Sequence, residues 1–170
     1  MTLRLILTRH AKSDWDNPLD SDHMRPLNAR GQRAAPAVGR WLVRDDYVPQ
    51  QALVSDATRT RQTWDRIAAE FPAAVPAQFE AALYHAGPDV MLRVLHTAQA
   101  QTVIMIGHNP GIAAFAHMLL AAPPTHPEFS RYPTCSTLVA EFDATDWGDV
   151  RYGSGRAVAF IVPRDLDQSD

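Results

Sequence analysis

A single cysteine, Cys135, stands among the 170 residues, so neither an internal disulfide nor a cysteine-based metal cluster can form. That suits a reducing compartment. Excess charge is missing as well: 16 Lys and Arg against 19 Asp and Glu give a formal net charge of -3. A balance so near neutral exerts no bulk pull on nucleic acid or an anionic membrane, and neither partner is expected. Any site for a phosphorylated ligand must then be a local gathering of positive charge. Long apolar runs are also absent. Leu3 to Leu7 gives five residues before the polar Thr8-Arg9-His10, too few for a signal-peptide core or a membrane span. A cytoplasmic location is the expectation. No repeat, low-complexity tract or linker divides the chain, and its length fits one domain over residues 1–170. The remainder is ordinary for a folded protein, with 46% hydrophobic and 21% charged residues.

Leu3 to Leu7 reads as a buried strand that hands polar groups to a loop, and Ala11 to Pro26, rich in aspartate, reads as that loop. Asn28 can cap a helix running to about Arg44. Pro36 is discordant within it and suggests that the regular helix begins near Ala35. Ala52 to Ser55 is a second strand, followed by a helix from about Arg59 to Phe71 that Pro72 stops. A helix over Asp89 to Ala98, a strand over Thr102 to Ile106 and a helix over Ile112 to Leu120 follow. Ala121 to Pro133 carries four prolines and reads as an irregular excursion near the site or the surface. Thr137 to Phe142 and Arg156 to Val162 read as a strand pair. The alternation predicts an α/β fold: one three-layer domain with a mostly parallel central sheet, helices on both faces, and antiparallel edge strands from the C-terminal part.

Three places share one form, in which a short apolar strand ends and a cationic or imidazole side chain follows. They are Leu5-Ile6-Leu7 into Arg9-His10, Leu53-Val54-Ser55 into Arg59, and Ile104-Met105-Ile106 into His108. Ligands of open parallel sheets bind at the carboxyl ends of strands, so neighbouring strands would bring the three sets to one crevice. Guanidinium forks match phosphate oxygens and offset the charge of a transferring phosphoryl group. An unprotonated imidazole can attack phosphorus, and a hydrogen bond from its other nitrogen to a carbonyl would fix that tautomer. Each block alone also admits a plainer reading. Arg9-His10 could pair with Asp14 or Asp16, Arg59 could share a solvated helix face with Arg61 and Arg66, and His108 could merely begin a turn.

Taken together, the blocks closely resemble the histidine phosphatase superfamily, which includes phosphoglycerate mutases and several phosphatases. The resemblance rests on Thr8-Arg9-His10-Ala11-Lys12-Ser13, on Ser55-Asp56-Ala57-Thr58-Arg59-Thr60-Arg61-Gln62-Thr63 and on Gly107-His108-Asn109-Pro110. It implies that His10 becomes phosphorylated, that Arg9, Arg59 and His108 complete a phosphate pocket, and that Ser13 and Asn109 lie among the substrate-binding groups. The short chain, Arg25-Pro26-Leu27-Asn28 with Gly31, and Leu83-Tyr84-His85-Ala86 resemble the SixA-like phosphohistidine phosphatase branch and add Arg25 to the pocket. The expected protein is a monomeric phosphatase that needs no cofactor or metal and acts on a phosphorylated protein or a small phosphorylated substrate.

Two departures bear on the chemistry. Asp16 stands where many relatives carry asparagine, and it should face away from a phosphate or bind a cation. Asn109 follows the second histidine where acid-phosphatase relatives place an acid. Expelling an alkoxide needs a general acid, whereas phosphohistidine expels imidazole, whose conjugate acid has a pKa of ~6.5. The missing acid therefore favours a phosphohistidine substrate, with Glu80, His85 and Asp14 as candidate donors for a phosphomonoester alternative. A module that binds a phosphorylated ligand without cleaving it is the third reading. His23, His96, His117 and His126 are read as surface or core residues, Lys12 as a rim charge and Cys135 as a packed small hydrophobe.

Overall fold

The apolar runs form the middle of a six-stranded sheet in the computed structural model, which describes residues 1–167. The strands are β1 (Thr2–Arg9), β2 (Gln51–Ser55), β3 (Ala77–Glu80), β4 (Thr102–Gly107), β5 (Thr137–Asp143) and β6 (Arg156–Ile161). Their order across the sheet is β3-β2-β4-β1-β5-β6. The first four pair in parallel, while β5 runs antiparallel to both β1 and β6. The helices are α1 (Ala29–Arg44), α2 (Thr58–Ala68), α3 (Pro88–Leu95), α4 (Gly111–Leu119) and α5 (Pro163–Asp167).

Alternation along the inner strands divides the apolar side chains between two cores. Leu3, Leu5 and Leu7 of β1 meet Val103 and Met105 of β4 on the face covered by α3 and α4. Ile6, Ile104, Ile106 and Val54 point to the other face, against Val38, Trp41 and Leu42 of α1 and Trp64 and Ile67 of α2. Both faces are covered, so the inner strands read as continuous hydrophobic runs. Leu5, Ile6 and Leu7 are fully buried, and each contributes about 1.5–3 kcal/mol by leaving water. This anchors the strand whose end carries Arg9 and His10.

Helix α1 departs from the expected start near Ala35. It runs from Ala29, with the Asn28 side chain accepting the Gly31 amide at 3.0 Å, and Pro36 lies inside it. Pro36 removes only the bond to the carbonyl of Gln32, an exposed residue that water can serve. Helices α2 and α3 stop at Ala68 and Leu95, short of the expected Phe71 and Ala98. In the gap after α2, Glu70 and Phe71 bond back to Ile67 and Ala68 as a tightened turn. Strand β3 and the short α5 carried too weak a pattern to be expected: β3 is a half-exposed edge of four residues. Among the described residues, no helix is long and apolar enough to cross a membrane.

Close backbone approach explains Gly31. A side chain there would overlap the carbonyl of Lys12, which also accepts the Asn28 amide at 3.0 Å. This contact fixes the start of α1 against the segment just after His10. Gly31→Ala is therefore expected to lower stability by about 1–3 kcal/mol. Urea denaturation measures it as a shifted midpoint with an unchanged slope.

Candidate active site

Strands β2, β4 and β1 are adjacent, so the three sequence blocks open at one carboxyl edge of the sheet. In the β1–β4 register Arg9 lies opposite Gly107, and the next residue on each strand is a histidine. The His10 amide donates to the Gly107 carbonyl at 3.0 Å, and the two rings stand 5.3 Å apart, centre to centre. His10 and His108 are both buried.

Their hydrogen bonds differ. Nδ1 of His10 lies 2.7 Å from the Ala11 carbonyl. A carbonyl only accepts, so Nδ1 carries the proton and Nε2 keeps its lone pair. Nε2 of His108 hydrogen-bonds Ser55 Oγ at 2.7 Å, leaving its Nδ1 without a partner. Burial holds His10 well below the ordinary imidazole pKa; the Ala11 bond works against it, and His108, Arg59 and Arg9 add repulsion on the side of burial. Burial likewise lowers His108 to about 3, helped by Arg59 and His85 and opposed by Asp22. Both rings are neutral near pH 7.

Around them lie three arginines. Arg9 Nη1 donates to the Tyr132 carbonyl at 3.1 Å. Arg25 donates to Ser13 Oγ, and through Nη2 to Asp22 Oδ1 at 2.9 Å. Arg59 holds the same residue, at the Asp22 carbonyl (2.6 Å) and Oδ2 (3.1 Å). Tyr84 completes the cluster by donating its hydroxyl to Asp22 Oδ2 at 2.5 Å. The Tyr84 hydroxyl, with Arg25 and Arg59, keeps the Asp22 carboxyl far below the usual range despite partial burial. Among the described residues, the buried side-chain nitrogens and oxygens left without a hydrogen bond are Nε of Arg9, Arg25 and Arg59, His108 Nδ1 and Asn109 Oδ1. An unmet buried polar group costs about 1–3 kcal/mol. The three guanidinium groups and the neutral imidazoles supply the donors that an anion with several oxygens takes up.

The spacing of the second block has a physical account in this chain. Thr63 Oγ1 donates to the Arg59 carbonyl at 2.7 Å and accepts the Ala11 amide at 2.9 Å, tying α2 to the residue after His10. Gln62 accepts the Leu27 amide at 2.9 Å and so steadies the Arg25 segment. The excursion before β5 lies against the site: the Cys135 amide donates to the carbonyls of Arg9 and His10 at 3.1 and 3.0 Å. Cys135 itself is fully buried.

Other residues singled out from the sequence lie elsewhere or serve differently. Ser13 is buried and engaged by Arg25. Asn109 commits its amide donors to the Arg131 and Tyr132 carbonyls at 2.9 and 3.2 Å, leaving an acceptor free. Asp14 takes the Asp16 amide at 2.8 Å within the loop, and Asp16 is exposed. Glu80 ends β3 at the outer edge of the sheet, separated from β4 by β2. His85 sits at the rim, its side chain 70% exposed and 3.7 Å from Asp22 Oδ2. His23, His96 and His126 have partners that the sequence did not disclose: Asp56, the Val150 carbonyl and Asp165, at 2.9, 3.0 and 2.8 Å. His117 stacks on Phe129. Asp22 and Tyr84 were missed altogether. The only signals were an aspartate three residues before Arg25 and a tyrosine inside the Leu83–Ala86 block. Among the described residues, no three His, Cys, Asp or Glu side chains gather to hold a metal ion.

Neutral imidazoles beside buried guanidinium groups, at the carboxyl ends of parallel strands, are the kinds of group that phosphoryl transfer uses. Residues 5–86 match the Histidine phosphatase superfamily (branch 1); the chain belongs to that superfamily and is a phosphatase. It is 32% identical over 163 residues to Rv1276c of Mycobacterium tuberculosis, an uncharacterized protein, an alignment covering 92% of this chain and 99% of that one. Its fold matches a protein assigned as phosphohistidine phosphatase SixA from Nakamurella multipartitia, with TM-score 0.80, 26% identity, and 96% and 97% of the two chains covered. The counterpart from Agrobacterium tumefaciens gives TM-score 0.78 and 26% identity over 95% and 98%. Within the superfamily the chain is SixA-like.

The depressed imidazoles have a consequence for stability. An unfolded histidine takes up its proton near pH ~6.5, whereas His108 resists protonation until about pH 3. Between these values the unfolded chain binds more protons, so stability rises as pH rises through that window. Thermal midpoints measured from about pH 4.5 to 7 should climb in the parent chain, and His108→Asn should flatten the climb.

Proposed function

We propose that this phosphatase removes the phosphoryl group from phosphohistidine on a protein partner, by way of a phosphohistidine formed on His10. The observation that carries the reading is the want of a usable acid. Asp22 is the one carboxylate among the described residues bonded to the pocket arginines, and these partners keep it ionised. Asn109, next to His108, has no proton to give as an acid. Such a site suits a leaving group that departs without strong help, and imidazole is one.

The steps follow from the geometry. The lone pair on His10 Nε2 attacks phosphorus, and the bond from phosphorus to the substrate imidazole breaks with its electron pair. That imidazole takes a proton from solvent. The Nδ1 proton, held by the Ala11 carbonyl, stabilises the ring as it acquires the phosphoryl group. Arg9, Arg25 and Arg59 offer donors to the phosphoryl oxygens. The negative charge of the arriving group favours protonation of His108 Nδ1, which then becomes a further donor. Water displaces His10 Nε2 from phosphorus in the second half, releasing phosphate and a proton.

The SixA assignments of two solved relatives support the substrate class. One observation favours a phosphomonoester instead: His85, at the rim beside Asp22, could protonate an alkoxide. Rapid quench with a phosphorylated peptide decides the mechanism. The parent chain should carry an acid-labile label, and His10→Ala should lose both label and turnover. Arg59→Ala should lower turnover by about 10²–10³-fold. Rates on a phosphohistidine peptide should exceed those on simple esters and survive His85→Gln. A preference for esters that disappears in His85→Gln would establish the monoester reading.

A further inference from the structure

Positive charge in this chain is unevenly placed. Two contiguous cavities, about 470 and 690 Å3, share Lys12, Arg30, Thr134, Pro163 and Arg164. The first continues along α1 past Arg33, Ala34 and Ala37 to Arg40, and the second reaches Arg9 and Arg131. Seven of the 16 lysines and arginines line this one cleft, in a chain of net charge -3. The carboxylates on its walls are Asp167 and Glu128. Arg40 pairs with Glu70 at 3.3 Å and Arg131 lies 3.8 Å from Glu128. Among the described residues, no carboxylate lies within ion-pair distance of Lys12, Arg30, Arg33 or Arg164, all of them exposed.

We propose that the cleft docks an acidic segment of the partner protein whose phosphohistidine enters the His10 pocket. This rests on the phosphohistidine reading above. Position supports it, because the cleft begins at Arg9 and Lys12, which flank His10 in sequence. Length supports it too. Arg30, Arg33, Ala34, Ala37 and Arg40 recur at three- and four-residue intervals on one face of α1, and Arg30 to Arg40 covers about 15 Å. That is the reach of four or five residues of extended chain at ~3.3 Å each, well beyond a single phosphate ester. The lining speaks against nucleic acid, since it holds no aromatic ring on which a base could stack. Spaced carboxylates can also avoid Asp167 and Glu128, which a dense run of phosphates would meet head on.

The test uses a phosphohistidine peptide flanked by glutamates, the same peptide flanked by glutamines, and the full chain with Arg33→Gln, Arg40→Gln and Arg164→Gln combined. The parent chain should favour the glutamate peptide by about tenfold in kcat/KM, mainly through KM, and added salt should erode the preference. The triple variant should lose the preference and keep its rate on the glutamine peptide. Equal treatment of both peptides by the parent chain, or a preference that survives in the triple variant, would overturn the proposal. Calorimetry of the unphosphorylated glutamate peptide with His10→Ala reads the cleft without turnover. Binding there that the three substitutions remove upholds the cleft even if neither phosphohistidine peptide is cleaved. Tighter binding of inorganic tripolyphosphate than of the glutamate peptide would assign the cleft to a small polyanion and end the proposal.

Discussion

Cations crowded about two unprotonated imidazoles are the constraint on which the rest of this molecule turns. In the proposed mechanism His10 attacks only while Nε2 is bare, and burial, with repulsion from His108, Arg59 and Arg9, keeps it so. Those arginines would be costly to bury with nothing to bind. The fold meets part of that cost with Asp22, the Tyr132 carbonyl and Ser13, and leaves the buried Nε donors without a partner. Free-state order and readiness for an anion thus come from one set of contacts.

The scaffold delivers this arrangement through strand register. Pairing of Arg9 with Gly107 brings the next residues, both histidines, to neighbouring positions without any loop having to reach. The apolar runs that bury β1, β2 and β4 on both faces hold the register, since a shift by one residue would exchange the two cores. Thr63 and the Cys135 amide then clamp the backbone just beyond His10 from opposite flanks.

Reading the sequence recovers what is local or repeated in kind. Continuous apolar runs announced β1, β2 and β4, and a charged or imidazole residue after each run announced the crevice. Asn28 announced the cap of α1. What escaped depends on contacts across long separations. Asp22 sits in an aspartate-rich loop where four acidic residues look alike, and only the fold shows that this one meets Arg59, 37 residues away, and Tyr84, 62 residues away. Strand β3 is an edge with one partner and runs for only four residues, Ala77–Glu80, too few for their apolar–polar alternation to stand out. Pro36 misled because a missing backbone donor matters little where the orphaned carbonyl belongs to an exposed residue, Gln32. Asn109 shows a further limit: its type fitted a phosphate ligand, yet its donors are turned to the chain itself.

Asp22 gives the pocket a tethered rival for its own ligand. A phosphoryl group that seats on Arg25 and Arg59 must share or take over donors held by a carboxylate that never drifts away, because the backbone keeps it near. When inorganic phosphate is the occupant, that same carboxylate stands ready to reclaim both guanidinium groups. On the proposed mechanism, product departure is an exchange of one anion for another, and the arginines need not be stripped bare for the next cycle to begin.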